Sequence, residues 1–382
     1  MDFAFSPAQR ELRDSTREMA RASLGRDLAR RDREQAFDAE GWRRCAQAGL
    51  LGLALPREHG GGGADALSAV AALEGLGEGC ADNGLCFALG AQLWGSATPI
   101  AAFGSAAQKA RYLPGLCAGE RIAALAMTEA ESGSDAYSLQ ARAARRGDRY
   151  VLDGRKLYVT NGPIADFVVV FATVDPQKKA HGVTAFIVDK GTPGLVLGPC
   201  VEKMGLRTAQ MGEVRLEGCE VAETQRLGRE GGGLALFHHA MEWERALILA
   251  PALGAMQRVL ELARARARSR RQFGKPIGAF QLVSTKLVDM QARLEASRLL
   301  LYKAAWQKAQ GKPAIAEAAT AKLFVSEAWV DACQDALQVH GAEGYLSESG
   351  IERELRDALA SRLYSGTSEI QRQVLAQWMG LG

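Results

Sequence analysis

A few short stretches hold most of the side chains able to do chemistry: AMTEAESGSD at 126–135, LYVTNG at 157–162, MEWERALILA at 241–250, RRQFGKPIGAFQ at 270–281, QVHGAEGYL at 338–346 and LYSGTSEIQR at 363–372. The first two carry the hydroxyls of Thr128, Ser134, Tyr158 and Thr160 in a region of strand-like texture. Hydroxyls and amides at strand ends offer rigid donors and acceptors to a bound polar group. Taken singly, each Thr or Ser is more simply read as a turn cap. Glu244 precedes Arg245 and has Met241, Leu247 and Ile248 within one helical turn. Apolar neighbours desolvate a carboxyl and raise its pKa toward that of a useful base. The competing reading is an ordinary Glu–Arg pair on a helix surface.

Several chemistries lose support. There is no GxSxG elbow and no HExxH, and the five histidines form no metal-ligand spacing, so no metal is expected. The His59-Gly-Gly-Gly-Gly run lacks the spacing of a phosphate cradle and reads as a flexible turn. The arginines of ARARARSRR alternate, which on a helix scatters them around the axis, so most are solvated. A net charge of +3, from 47 basic against 44 acidic residues, argues against nucleic acid or an anionic membrane as partner.

The elements that must position these residues follow from composition and period. At 382 residues, 47% hydrophobic and 24% charged, the chain has room for two or three packed units of an ordinary globular protein. Residues 1–120 show helical stripes, Leu12-Met19-Leu24-Leu28 and Leu67-Val70-Leu73-Leu76. The uncharged run from Asn83 to Gln108 is interrupted by Gly95, Ser96 and Pro99 and predicts a pair of buried helices rather than a membrane span. Residues 121–228 switch to β-branched and aromatic runs, with Asp153-Gly154 predicting a hairpin turn. Residues 229–382 return to long helices, with Pro313 near a helix start and Gly341 at a helix stop. The fold class is therefore α+β, mainly α: a helical body interrupted by a small β-barrel or sandwich. Seven cysteines without a CxxC pair, and an N-terminus without an apolar signal region, point to reduced thiols in the cytoplasm.

In their order and spacing, the stretches resemble the acyl-CoA dehydrogenase family of flavoproteins over nearly the whole chain. That resemblance implies an N-terminal helical domain (1–120), a middle small β-barrel (121–228) and a C-terminal four-helix bundle (229–382). It implies a homotetramer with one FAD per subunit. Cofactor contacts carry over to Met127, Thr128, Ser134, Tyr158 and Thr160, and to Arg270, Phe273, Gln281, Gln338, Gly341, Thr367 and Glu369, this second set reaching a neighbouring subunit's FAD. Substrate contacts carry over to Ser134, Arg245 and Tyr364. Ala130, Tyr158 and Ala342 depart from the family's usual proline, tryptophan and glycine and leave the flavin assignment intact.

A larger departure concerns the base. Many members place a glutamate immediately before the Gly-Thr of the last stretch, where this chain has Ser365. A serine cannot abstract an α-proton without a partner base. A subset of the family carries the glutamate in a Glu-Arg dipeptide on a C-domain helix, which maps the base onto Glu244. Ser365 then contributes its backbone N–H, which with a flavin ribityl hydroxyl would hold the thioester oxygen. The expected activity is FAD-dependent α,β-dehydrogenation of an acyl thioester of CoA or of a carrier protein. Within the family, CADNGLCFALGAQLW, MEWERALILA and SRLYSGTSEIQR look most like members acting on carrier-protein thioesters, including prolyl-carrier-protein dehydrogenases. Trp94, Trp243 and Tyr364 near the presumed pocket favour a small or cyclic acyl group. The electron acceptor is an electron-transfer flavoprotein or O2, the latter making an oxidase, and a catalytically silent thioester-binding homologue is the rival reading.

Overall fold

The computed structural model describes residues 5–381. The N-terminal part comprises α1 (Pro7–Ser23), α2 (Leu28–Glu34), α3 (Ala39–Gln47), α4 (Ala66–Gly79), α5 (Asn83–Gly90), α6 (Thr98–Phe103) and α7 (Ala106–Cys117). Ser6 starts α1 with a reciprocal cap to Gln9, and Ser105 does the same for α7 with Gln108. Helix α4 is buried almost throughout. A Cβ at Gly75 would stand 2.2 Å from the Arg13 carbonyl oxygen, and one at Gly77 1.9 Å from that of Pro251. Only glycine lets those backbones approach so closely.

Two expectations change here. Residues 83–103 run as one buried helix through Gly95, Ser96 and Pro99, with a π-helical turn at Ala91–Ala97 and the break deferred to Gly104. This helix and Gly233–Ser269 are long and apolar enough to cross a membrane, yet 78% of each apolar window is buried within the protein. The glycine run at 60–63 is close-packed rather than loose: Gly61, Gly62 and Gly63 donate to the carbonyls of Pro56, Gly52 and Leu55. A Cβ at Gly61 would meet the Leu55 carbonyl oxygen at 2.2 Å.

The middle part is one sheet of β1 (Ala123–Ala126), β2 (Arg142–Arg146), β3 (Arg149–Thr160), β4 (Phe167–Thr173), β5 (Val183–Asp189), β6 (Leu195–Leu197), β7 (Met211–Ala222) and β8 (Arg226–Leu227). Its order is β6-β7-β3-β2-β4-β5-β8, with β1 parallel to β4. Strand β4, FVVVFAT, is buried on both faces. Phe167, Val169 and Phe171 join the core of the helical body, while Val168 and Val170 fill the interior of the sheet. Alternation along one strand thus welds the two parts together. Asp153-Gly154 is not the hairpin turn. It forms a bulge inside β3, where the register against β7 slips between Leu152 and Gly154, and the two-residue turn is Gly147-Asp148.

The C-terminal part holds α8 (Gly233–Leu247), α9 (Ala250–Ser269), a small hairpin of β9 (Arg271–Gln272) and β10 (Lys275–Pro276), then α10 (Gln281–Ala309), α11 (Ile315–His340), α12 (Ile351–Leu359) and α13 (Ser368–Trp378). Asp357 on α12 accepts the Leu206 N–H at 2.6 Å and Asn83 Nδ2 at 3.1 Å, so one carboxyl ties all three parts. Burial pushes its pKa up to about 7. All seven cysteines are free, and six are buried.

Candidate active site

Glu244 lies in the last turn of α8 and Ser365 in the turn between α12 and α13, 121 residues apart in sequence. The fold brings them together: the Ser365 hydroxyl donates to Glu244 Oε1 at 2.5 Å. Met241, Leu247 and Ile248, within about one helical turn of it in sequence, are all buried. Burial raises the carboxyl's pKa, and the Ser365 hydroxyl, Arg245 and Lys322 pull it back. Placement at a helix C-terminus adds to the upward push, because the dipole disfavours a negative charge there. The result is a carboxylate poised to take a proton.

The serine is held in an unusual backbone state. Ser365 has φ +56° and Gly366 φ +87°, two left-handed residues in succession. Gln371 on α13 donates to both their carbonyls, at 3.2 and 2.9 Å, and the Lys322 ammonium on α11 donates to the Gly366 carbonyl at 2.7 Å. The Ser365 N–H has no acceptor among the described residues. Tyr364 packs on Phe87 with ring centroids 4.4 Å apart. Across the site, Trp94 stacks on Trp243 at 5.6 Å and 7° between planes, and Lys308 sits over the Trp243 ring at 4.2 Å. Gly95, in the π-turn, faces the carboxylate: a Cβ there would stand 3.4 Å from Glu244 Oε2.

The hydroxyl set sits on the sheet. The buried Lys156 ammonium donates to the Met127 carbonyl at 3.0 Å and pairs with Glu129 at 2.7 Å, while the Leu157 N–H donates to the Thr128 carbonyl at 2.8 Å. Those bonds fasten residues 127–129 against β3 beside Tyr158 and Thr160. Tyr158 lies where β3 slips register against β7, with φ +57°, and its ring is 66% exposed. Thr128 and Thr160 are half-buried. A bare aromatic face flanked by hydroxyls fits a flat heterocycle with polar edges, so the residues present suit a flavin. Ser134 is exposed on the loop that follows.

The second set gathers at the opposite end of the long helices. Arg270 caps α9, Phe273 forms the hairpin tip with φ +48°, Gln281 begins α10, and Gln338 and Gly341 close α11. An Arg266–Glu343 ion pair of 2.7 Å draws the two segments together. Phe273 is 92% exposed, and Arg270, Gln281, Gln338 and Gly341 also face solvent. Among the described residues no hydrogen bond or ion pair joins this end to the β3 platform. Thr367 and Glu369 stand apart from it, beside Ser365: the Thr367 hydroxyl caps α13 by accepting the Ile370 N–H at 3.3 Å.

Four residues that fasten these segments by hydrogen bonds carry no motif in the sequence: Lys156, Glu129, Lys322 and Gln371. The available signal for Lys322 is a lone charge on the apolar stripe of α11, between Ala318 and Val325.

A helical body interrupted by a β-sheet, with a desolvated glutamate in the helical part and a platform on the sheet that suits a flavin, is the arrangement of a flavoprotein dehydrogenase. Residues 6–120, 124–219 and 231–380 match the N-terminal, middle and C-terminal domains of acyl-CoA dehydrogenases, and the chain belongs to that family. It is 44% identical over 346 residues to the L-prolyl-[peptidyl-carrier protein] dehydrogenase of Pseudomonas fluorescens, covering 90% of this chain and 91% of that protein. The prolyl acyl carrier protein oxidase AnaB superposes with a TM-score of 0.98 at 50% identity, over 99% of this chain and 100% of AnaB. PigA, solved with FAD and proline, gives 0.98 at 38% identity over the full length of both chains.

Proposed function

We propose that this protein is an FAD-dependent dehydrogenase that forms an α,β-double bond in a prolyl thioester carried by a peptidyl carrier protein. The observation that carries the reading is the Glu244 carboxylate, which accepts the Ser365 hydroxyl and is faced by Gly95 of the π-turn, beside the stacked Trp94–Trp243 pair. The names of the relatives above support the prolyl group and the carrier. Glu244 removes the α-proton; the free Ser365 N–H holds the thioester oxygen and so acidifies that carbon. When bound, FAD supplies the acceptor for the β-hydride. Thr128, Tyr158 and Thr160 would hold its ring, and Arg270, Phe273, Gln281, Gln338 and Gly341 would grip an FAD shared with another copy of the chain. The exposure of that second set in a single chain supports a homotetramer or other closed oligomer. Buried thiols fit a cytoplasmic setting.

The test is anaerobic mixing of the purified protein with prolyl-carrier protein, butyryl-CoA and palmitoyl-CoA, following loss of flavin absorbance. Bleaching is expected to be fastest with the prolyl-carrier thioester. No bleaching with any thioester would establish a silent homologue, and faster bleaching with free CoA esters would remove the carrier protein from the reading. Admitting air after reduction separates an oxidase, which recovers its colour at once, from an enzyme that waits for an electron-transfer flavoprotein.

A further inference from the structure

The Lys322 ammonium is almost wholly enclosed, at 1% exposure, among the alanines of α11. Among the described residues it forms no ion pair, and its one hydrogen bond goes to the Gly366 carbonyl. An enclosed charge with so little compensation is costly, and a fold that keeps one obtains something from it. Burial and the repulsion of Arg245 bring its pKa down to about 8, while Glu327, Glu369 and Glu244 hold it up, so it remains an ammonium at neutral pH.

What it touches is the turn that delivers Ser365. A serine at φ +56° is a strained state, which persists only where its surroundings over-determine it. Behind the turn the restraints are Lys322 on the Gly366 carbonyl and Gln371 on the carbonyls of Ser365 and Gly366. In front of it the product is the 2.5 Å bond from the Ser365 hydroxyl to Glu244. The Lys322 ammonium also lies 5.9 Å from the centroid of the Tyr364 ring, so the residue before the serine is braced as well.

We propose that Lys322 is a positioning residue for the base: by clamping the Gly366 carbonyl it keeps the left-handed 365–366 turn in place and the Ser365 hydroxyl on Glu244. This rests on Glu244 being the base. The hydroxyl and the two nearby cations, Arg245 and Lys322, favour the ionised carboxylate against its burial, and Tyr364 is the remaining titratable group facing it. Losing the clamp therefore leaves a Glu244 that ionises at higher pH and is aimed less well. The effect should fall chiefly on proton abstraction, with a smaller loss of thioester affinity because the same turn carries the Ser365 N–H.

The experiment is single-turnover flavin reduction across pH 6 to 10 for Lys322→Met, Ser365→Ala and the double variant, with thioester affinity measured alongside. Lys322→Met and Ser365→Ala should each slow reduction at neutral pH about tenfold and move the acid limb of the profile upward by about one pH unit. Thioester affinity should stay within about twofold for Ser365→Ala, which keeps the backbone N–H, and should fall less than the reduction rate for Lys322→Met. Because the lysine acts on the hydroxyl through the turn, adding Lys322→Met to Ser365→Ala should cost clearly less than Lys322→Met costs alone. An infrared titration of the Glu244 carboxyl in the unliganded protein, identified by its loss in Glu244→Gln, should show the same upward movement without any turnover. Full multiplication of the two effects, or a Lys322→Met profile that keeps the wild-type acid limb, overturns the proposal. If Lys322→Met does not fold, Lys322→Arg and Gln371→Leu decide: the arginine should keep most of the rate, and the leucine should move the acid limb as Ser365→Ala does. An unshifted Gln371→Leu would then overturn it. Wild-type reduction by Glu244→Gln would instead sink the base assignment on which the proposal stands.

Discussion

The two ends of this molecule are built on opposite terms. Around Glu244, one chain supplies its own partners: α8 brings the carboxylate, the turn before α13 brings the serine, and α11 and α13 brace that turn. At the far end of the long helices, Arg270, Phe273 and Gln281 project into solvent with Leu282 and Tyr345, which are 85% and 78% exposed. Large apolar side chains left this exposed are a feature of interaction surfaces. The contrast is between a carboxylate whose partners all come from one chain and a set of side chains that one chain leaves exposed. On the proposed function, the first does the proton chemistry and the second waits for assembly to complete the grip on the cofactor.

The sharpest way to break that contrast is Glu244→Gln, which nearly preserves shape and removes the proton acceptor. Flavin reduction should fall by roughly 100-fold to 10,000-fold in single-turnover measurements, with FAD content unchanged. In the wild type the raised pKa of Glu244 has a definite sign: reduction should accelerate as pH rises through its ionisation and slow on acidification. Next comes Arg270→Ala at the open end. It should release FAD and loosen the oligomer together, read by flavin-to-protein absorbance and by sedimentation. A variant that keeps both full flavin and full size would remove the assembly argument. Smaller again is Trp243→Leu, which takes away one member of the ring stack beside the base. Turnover of long-chain relative to short-chain thioesters should rise about tenfold, since an apolar pocket discriminates by only a few kcal/mol at most. A long-chain preference already present in the wild type would contradict a small or cyclic acyl group as substrate. The mildest is Thr367→Ala, which loses the cap of α13 and should cost about 1 kcal/mol in denaturant unfolding, with flavin retained.

Stability should also carry a pH signature from Asp357. Its pKa is raised from 3.8 to about 7, so its contribution to stability is full below about pH 4 and is lost as pH rises through 7. Chemical unfolding of wild type and Asp357→Ala at pH 5 and pH 8 checks this: the gap between them should be wider at pH 5.

Much of this protein was legible before any coordinates. Period and composition separate the helical and strand regions because a half-buried helix and a half-buried strand repeat at different intervals, and that repeat is local. The order of AMTEAESGSD, LYVTNG, RRQFGKPIGAFQ and LYSGTSEIQR points to the acyl-CoA dehydrogenase family, and Ser365 in the usual base position directs attention to Glu244. Other features needed the tertiary structure. Asp153-Gly154 has the composition of a hairpin turn, yet β7 runs alongside it and pairs through, so register set by a distant strand makes it a bulge. The glycines at 60–63 looked loose because nothing nearby in sequence reveals that the carbonyls of Leu53 and Leu55 press against them. The bond from Ser365 to Glu244 spans 121 residues, and the lysine behind it comes from a third helix. A local pattern records which face of an element is apolar. Which two polar atoms meet across a core depends on how three helices pack, and that geometry exists only once the chain has closed on itself.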